Sequence, residues 1–274
     1  MAWFTHSSRF ALLAVALVLS SSFPVSAQVT PLRISTSPSL ANELENAFRP
    51  PKRGAPDNRQ GGATRGPCFV DQRQDLTALV PGPEAKTATE YPIVSWYMPE
   101  MTSNEDDAPA PAIIFRLKDA SHSEEGKEVY TATYPLNKSG TGIAGTPGIM
   151  TLPIAHPYAL EVGKKYYWEL RVTCDIDSPD RSGDQYDKGE ITRVALNDST
   201  FTQRLQQATP EERVVLYAQN QLWYEMLSDL VNLRRDRPTD RNLAEAWNTL
   251  MNMVELKLSA KEPLFQDARN TSNY

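Results

Sequence analysis

The chain is 274 residues long and 40% apolar, enough for one large or two small domains with a real core, which excludes disorder along its full length. With 28 Lys and Arg against 34 Asp and Glu it carries a net charge of −6. That sign excludes a whole-chain role in coating nucleic acid or an anionic membrane, since both need a positive field, and leaves such contacts to local basic segments.

Residues 1–27 are expected to be a signal peptide. Met1 to Arg9 ends on a positive charge, Phe10 to Leu19 (FALLAVALVL) is apolar, and Val25-Ser26-Ala27 supplies the small residues that a signal peptidase requires, with cleavage before Gln28. Such a run is too short to cross a hydrocarbon core of about 30 Å, and no later stretch approaches the roughly 20 residues of a spanning helix. The chain is therefore expected to be exported, periplasmic or extracellular, with a mature charge of about −7 once Arg9 is removed.

Residues 28–67 read as an arm. Its first part, up to Ala47, holds few large apolar residues and is expected to be loose, with one helical turn at ANELENAF. FRPPKRGAPDNRQGGATRGPC follows from Phe48 to Cys68 and gathers Arg49, Lys52, Arg53, Arg59 and Arg65 among prolines and glycines. Two readings stay open. The cations with permissive glycine backbone suit an anionic ligand, whereas Pro-rich segments also lie as extended straps along sheet edges. Cys68 and Cys174 are the only cysteines. In an oxidising compartment they are expected to pair, closing a loop of about 106 residues for roughly 4 to 5 kcal/mol of chain entropy. A redox or metal pair is disfavoured, because there is no CxxC and only His122 and His156 remain after the signal.

From residue 68 to 197 short β-rich runs alternate with Pro, Gly and acidic loops, at 71–80, 91–98, 111–118, 128–134, 148–154, 165–174 and 189–196. Ile113, Phe115 and Leu117 share one face of their run, opposite Ile114, Arg116 and Lys118. Trp168, Leu170, Val172 and Cys174 likewise oppose Tyr167, Glu169, Arg171 and Thr173. LEVGKKYYWELRVTC resembles the corner between sheets in fibronectin-type and immunoglobulin-like sandwiches, with the hydroxyl of Tyr166 or Tyr167 bonding back to the preceding loop. The cysteine partner lies before the first strand, so an antibody-type disulfide is not expected.

Residues 198–274 turn helical. A short helix is expected over 198–207. Thr209-Pro210-Glu211-Glu212 forms a capping box that starts a longer one, with Val215, Leu216, Gln219, Leu222, Trp223, Met226, Leu230 and Leu233 as its buried stripe, Arg234 and Arg235 in its last turn and Pro238 as its stop. A second helix from Asp240 to Leu258 buries Leu243, Trp247, Leu250, Met251, Val254 and Leu258, and the short RDRPTD link makes the two an antiparallel hairpin. The end, DARNTSNY, is expected to fray. The fold class is thus α+β: an immunoglobulin- or fibronectin-like antiparallel β-sandwich of about seven strands, followed by a C-terminal helical hairpin.

Motifs of catalysis are absent: there is no HExxH, GxSxG, P-loop or Rossmann glycine pattern. His122 and His156 are expected at the surface, without the neighbour and pocket that tune a general base. Asp175, Asp177, Asp180, Asp184 and Asp187 crowd one loop, yet Pro179 and the displaced Gly183 spoil calcium-loop spacing, so a solvated hairpin is expected. NEDD at 104–107 reads the same way. Trp96, Tyr97, Tyr166, Tyr167 and Trp168 suit a carbohydrate platform only if they face outward, and core packing is expected instead, as for Trp223 and Trp247.

The pattern from Phe48 to Cys68, LTALVP at 76–81, SWYMP at 95–99, LEVGKKYYWELRVTC at 160–174 and ERVVLYAQNQLWYEMLSDLVNLR at 212–234 together resemble the exported, mainly cyanobacterial family known as domain of unknown function 928. Members of that family carry a Gly-Ile-Trp-Tyr-like segment where this chain has Asn220-Gln221-Leu222-Trp223-Tyr224. The resemblance implies an export signal and a single unit of strands and helices, and carries no catalytic or binding residue. The expected function is a non-enzymatic binding or interaction protein of the cell envelope, partnered by an anionic glycan or another protein, with no cofactor and no nucleic acid. An envelope-polymer hydrolase working through carboxylates and a structural scaffold module are the alternatives.

Overall fold

The computed structural model describes residues 38–51, 69–70, 75–83, 85–101, 111–123, 125–136, 147–256, 258 and 261–264. The expected signal peptide, Lys52, Arg53, Arg59, Arg65, Cys68 and the chain end from 265 lie outside the described residues. In chain order the elements are α1 (Leu40–Ala47), β1 (Thr77–Ala78), β2 (Lys86–Thr87), β3 (Ile93–Met98), β4 (Ala112–Asp119), β5 (Lys127–Pro135), β6 (Gly148–Pro153), β7 (Lys165–Thr173), β8 (Gln185–Arg193), α2 (Ser199–Gln207), α3 (Pro210–Gln219), α4 (Trp223–Asp236) and α5 (Arg241–Met253). The class is α+β. One antiparallel sheet has the order β1-β3-β6, and a five-stranded sheet has the order β2-β8-β7-β4-β5, antiparallel except where β2 runs parallel to β8.

The two sheets bury their strands differently. β4 and β7 alternate, so Ile113, Phe115 and Leu117 lie inward beside Tyr166, Trp168, Leu170 and Val172 while the charged residues between them face out. β3 and β6 are buried on both faces, which is why IVSWYM and GIMTLP read as apolar runs without alternation. Of the two adjacent tyrosines it is Tyr166 whose hydroxyl bonds back to the preceding loop, accepting from the Glu161 amide at 3.0 Å. Opposite Trp168 in the β7–β8 register stands Gly189, where a Cβ would come within 2.4 Å of the indole. Only a residue without a side chain lets that ring lie flat on the sheet.

The helices complete the same core. Trp223 Nε1 donates to the Leu79 carbonyl, and Trp168 Nε1 donates to the Tyr224 hydroxyl, which in turn donates to the Glu190 carbonyl. At the other end of α4, Arg235 donates to Thr151 of β6. Residues of both sheets and of α1, α3, α4 and α5 therefore form one buried cluster. Among the described residues, no helix is long and apolar enough to cross a membrane.

Four expectations need revision. The segment 38–51 is not loose where it is described: Ser39 caps α1, Leu40, Ala41 and Leu44 are buried, and the helix packs against α5 and α3. The stripe from Val215 to Leu233 belongs to two helices, because the chain turns at Gln221 with φ 57°. There the amide of Leu222 bonds to the Tyr217 carbonyl and that of Gln221 to the Ala218 carbonyl, a Schellman ending for α3. The last helix ends the same way, with Glu255 at φ 54° and Leu256 bonded to Met251, so it stops at Met253 instead of Leu258. The expected hairpin is accordingly rearranged: α4 packs chiefly on α3, and α5 on α1. The capping box at Thr209 and Glu212 is present as expected.

The strand runs differ at their ends. Among the described residues the first run forms a strand over Thr77–Ala78, and the last begins at Gln185 instead of 189. β2 has two residues and no periodicity to betray it. It is held from a distance: Glu225 Oε1 accepts from Thr87 Oγ1 and from the amides of Ala88 and Thr89.

Candidate functional site

Of the expected basic residues only Arg49 is described, and it is consumed locally. Its guanidinium donates to the carbonyls of Glu45 and Phe48 at the end of α1, and its amide donates to Gln221 Oε1. Gln221 Nε2 returns a bond to the Ala47 carbonyl, so the root of the basic segment is pinned to the α3–α4 turn.

The other flagged residues also have ordinary fates. His122 is exposed, and His156, exposed too, lies with its ring 6.2 Å from that of Tyr91. Trp96, Tyr97, Tyr166, Trp168, Trp223 and Trp247 are buried, so they form no outward platform. In the 174–184 hairpin, Arg181 donates to Thr173 Oγ1 and to the carbonyls of Asp175 and Ile176, a cation supplied by the loop itself. Asp184 is not solvated as expected: it is buried against Arg171, and Asp187 accepts from the Ala78 amide. Among the described residues no group of His, Cys, Asp or Glu is placed to hold a metal ion. Cys174 is half-buried against the core at the end of β7, with Sγ 3.4 Å from the Gly183 carbonyl.

What the sequence did not single out is the outward face of the five-stranded sheet. Strand register places its residues in rows. One row runs Ile114, Arg171, Tyr186; the next runs Thr131, Arg116, Glu169, Lys188; the third runs Glu128, Lys118, Tyr167, Glu190; the last joins Lys165, Thr192 and Lys86. Six cations share these rows with three carboxylates, and a fourth, the buried Asp184, pairs with Arg171 at the end of the face, on a chain whose net charge is −6.

The charges are also layered. Glu190 is 12% exposed beneath Lys165, which is 40% exposed, with Oε1 to Nζ at 2.9 Å. Glu169 is 24% exposed and bonds Arg116, 34% exposed, at 3.1 Å, with Arg171 Nη2 at 3.5 Å. Two members break the layering: Glu128, on the edge strand, is 50% exposed and stands above Arg116, and Arg171, at 22%, lies no higher than Glu169. Two tyrosines carry cations over their rings: Lys165 lies 5.2 Å from the centroid of Tyr167, and Arg171 lies 4.8 Å from that of Tyr186. Burial lowers the pKa of Lys165, but hydrogen bonds to Glu190 and Tyr167 outweigh it and hold the group above its ordinary value. Lys86, Lys118 and Lys188 make no ion pair with a carboxylate among the described residues, which leaves their heads to solvent.

At the end of β4, hydrogen bonds from Ser121 hold the Asp119 carboxyl at about 2, with Lys164 assisting. Behind the face the Tyr224 hydroxyl is pushed far above its usual range by complete burial. Arg234, stacked 4.4 Å over Trp247, is lowered by burial to about 10 and stays protonated at neutral pH.

The family model described as "Domain of Unknown Function (DUF928)" matches residues 60–264. No curated protein matches the chain. Among solved structures, that of Astrotactin-2, titled a conserved vertebrate-specific and perforin-like membrane protein involved in neuronal development, is 13% identical. The match covers 64% of this chain and 35% of that one, and with a TM-score of 0.24 it carries no argument about fold or function.

Proposed function

The chain belongs to the DUF928 family, whose description assigns no activity, and we propose that it is an exported, non-enzymatic binding protein of the cell envelope that contacts an anionic partner, a glycan or another protein. The observation that carries this reading is the cationic outward face of the five-stranded sheet on a chain of opposite net charge. Export through the signal peptide at 1–27 and a periplasmic or extracellular location belong to the proposal, as does a Cys68–Cys174 bridge, which peptide mapping without reductant reads directly. So does a second contact through Lys52, Arg53, Arg59 and Arg65, with Arg49 as their anchored root.

The immunoglobulin- or fibronectin-like reading of the two sheets is part of the same proposal. The Tyr166 corner supports it, while the parallel β2–β8 pair departs from that architecture.

A pull-down from envelope extracts tests the function. The wild type should recover a glycan or protein that is lost when Arg53, Arg59 and Arg65 are changed to Ala, or when Lys86, Lys118 and Lys188 are changed to Gln. Recovery of nothing beyond what both variants retain would sink the binding reading.

A further inference from the structure

Resting on the binding reading, we infer that the outward face of the five-stranded sheet takes a carboxylated polysaccharide, a linear uronate-bearing chain laid across the strands. In two of the four rows the cations recur two strands apart. Arg116 and Lys188 flank Glu169 in one row, and Lys165 and Lys86 flank Thr192 in another. Two inter-strand spacings amount to about 10 Å, a span comparable with a disaccharide, so alternate sugars of an extended chain meet successive cations.

Charge layering makes the match one of sign as well as spacing. Glu169 lies below Arg116 and Glu190 below Lys165, Arg171 sits as low as Glu169 and pairs with it and with Asp184, and among the described residues Lys86, Lys118 and Lys188 pair with no carboxylate. Over Glu190 and Glu169 an approaching polyanion meets the Lys165 ammonium and the Arg116 guanidinium first, whereas on the edge strand it meets Glu128, 50% exposed. Thr131 and Thr192 add hydroxyls at the same level, suited to sugar hydroxyls as donor and acceptor.

The face does not suit a protein partner as well. A protein interface is built around desolvated apolar or aromatic anchors, and this face offers only Ile114 and two tyrosines whose rings already carry Lys165 and Arg171. Lysines without fixed partners bind a flexible polyanion as diffuse point charges at small ordering cost.

Affinity electrophoresis of the full mature chain in gels containing polygalacturonate tests the inference, with dextran as the neutral control. The wild type should be retarded by polygalacturonate and not by dextran. Lys86→Gln/Lys118→Gln/Lys188→Gln should weaken the retardation tenfold or more, with its thermal unfolding unchanged because none of the three is internally paired. Arg53→Ala/Arg59→Ala/Arg65→Ala should keep it. Retardation that survives the sheet variant, or equal retardation by dextran, overturns the sheet-face inference and leaves the binding reading intact. A wild type that polygalacturonate does not retard overturns it as well, while the extract pull-down decides the wider reading separately; recovery there of an acidic protein through the same three lysines would replace the glycan by a protein.

Discussion

At the scale of single residues the protein turns on Trp168. Its ring rests on Gly189, where any Cβ would strike the indole, and its Nε1 donates to the Tyr224 hydroxyl, which in turn donates a hydrogen bond to the Glu190 carbonyl. That relay ties α4 to the sheet through groups sealed from water, where an unmade hydrogen bond costs the most. Gly189→Ala is expected to lower stability by about 2 to 3 kcal/mol through overpacking, and Tyr224→Phe by about 1 to 3 kcal/mol by stranding the indole N–H and the carbonyl. Urea unfolding midpoints measure both, and wild-type midpoints would show that neither contact matters. The inward position of Trp168 was legible from the alternation of WELRVT. The role of Gly189 was not, since a glycine at the start of an apolar run carries no mark of the ring across the sheet.

At the scale of elements, the break between α3 and α4 shows where periodicity misleads. Val215, Leu222, Met226 and Leu230 keep helical spacing across the turn, so the sequence reads as one helix. A Schellman ending usually announces itself with Gly, and this chain has Gln221 at φ 57° instead. Here the side chain offsets the backbone strain by bonding the Arg49 amide and the carbonyls of Ala47 and Ala218. Gln221→Ala loses those bonds and keeps the strain, whereas Gln221→Gly loses the bonds and relieves it. The Gly variant should be more stable than the Ala variant by about 1 kcal/mol in chemical denaturation, and equal stability would remove the strain argument. The opposite error occurred at α1. Its Ser39 cap and Leu40, Leu44 and Phe48 at four-residue spacing were legible, yet its docking on α5 depends on a contact between Leu40 and Asn242 that no local pattern reveals.

At the scale of the whole molecule, strands and helices share one core, and the outward face of the large sheet is what that core leaves to solvent. Arg116, Lys118 and Arg171 could each be placed on an outer face from alternation alone. That Arg116 shares a row with Lys188, and Lys165 one with Lys86, follows from the β4–β7, β7–β8 and β2–β8 registers, which the sequence does not print. The basic segment at 48–68 drew attention because its charges are contiguous in sequence, whereas the sheet assembles its charges from five strands. If this face is the working surface, binding is electrostatic and screened by salt, because the groups that meet the ligand are exposed. The direct measurement is the affinity of the wild type for polygalacturonate by titration calorimetry across a salt series. A tenfold or greater fall in affinity between about 50 and 200 mM salt is predicted, with the dependence flattened in the Lys86, Lys118 and Lys188 to Gln variant. Affinity that ignores salt, or that falls equally steeply in the variant, would contradict a sheet-borne cationic site.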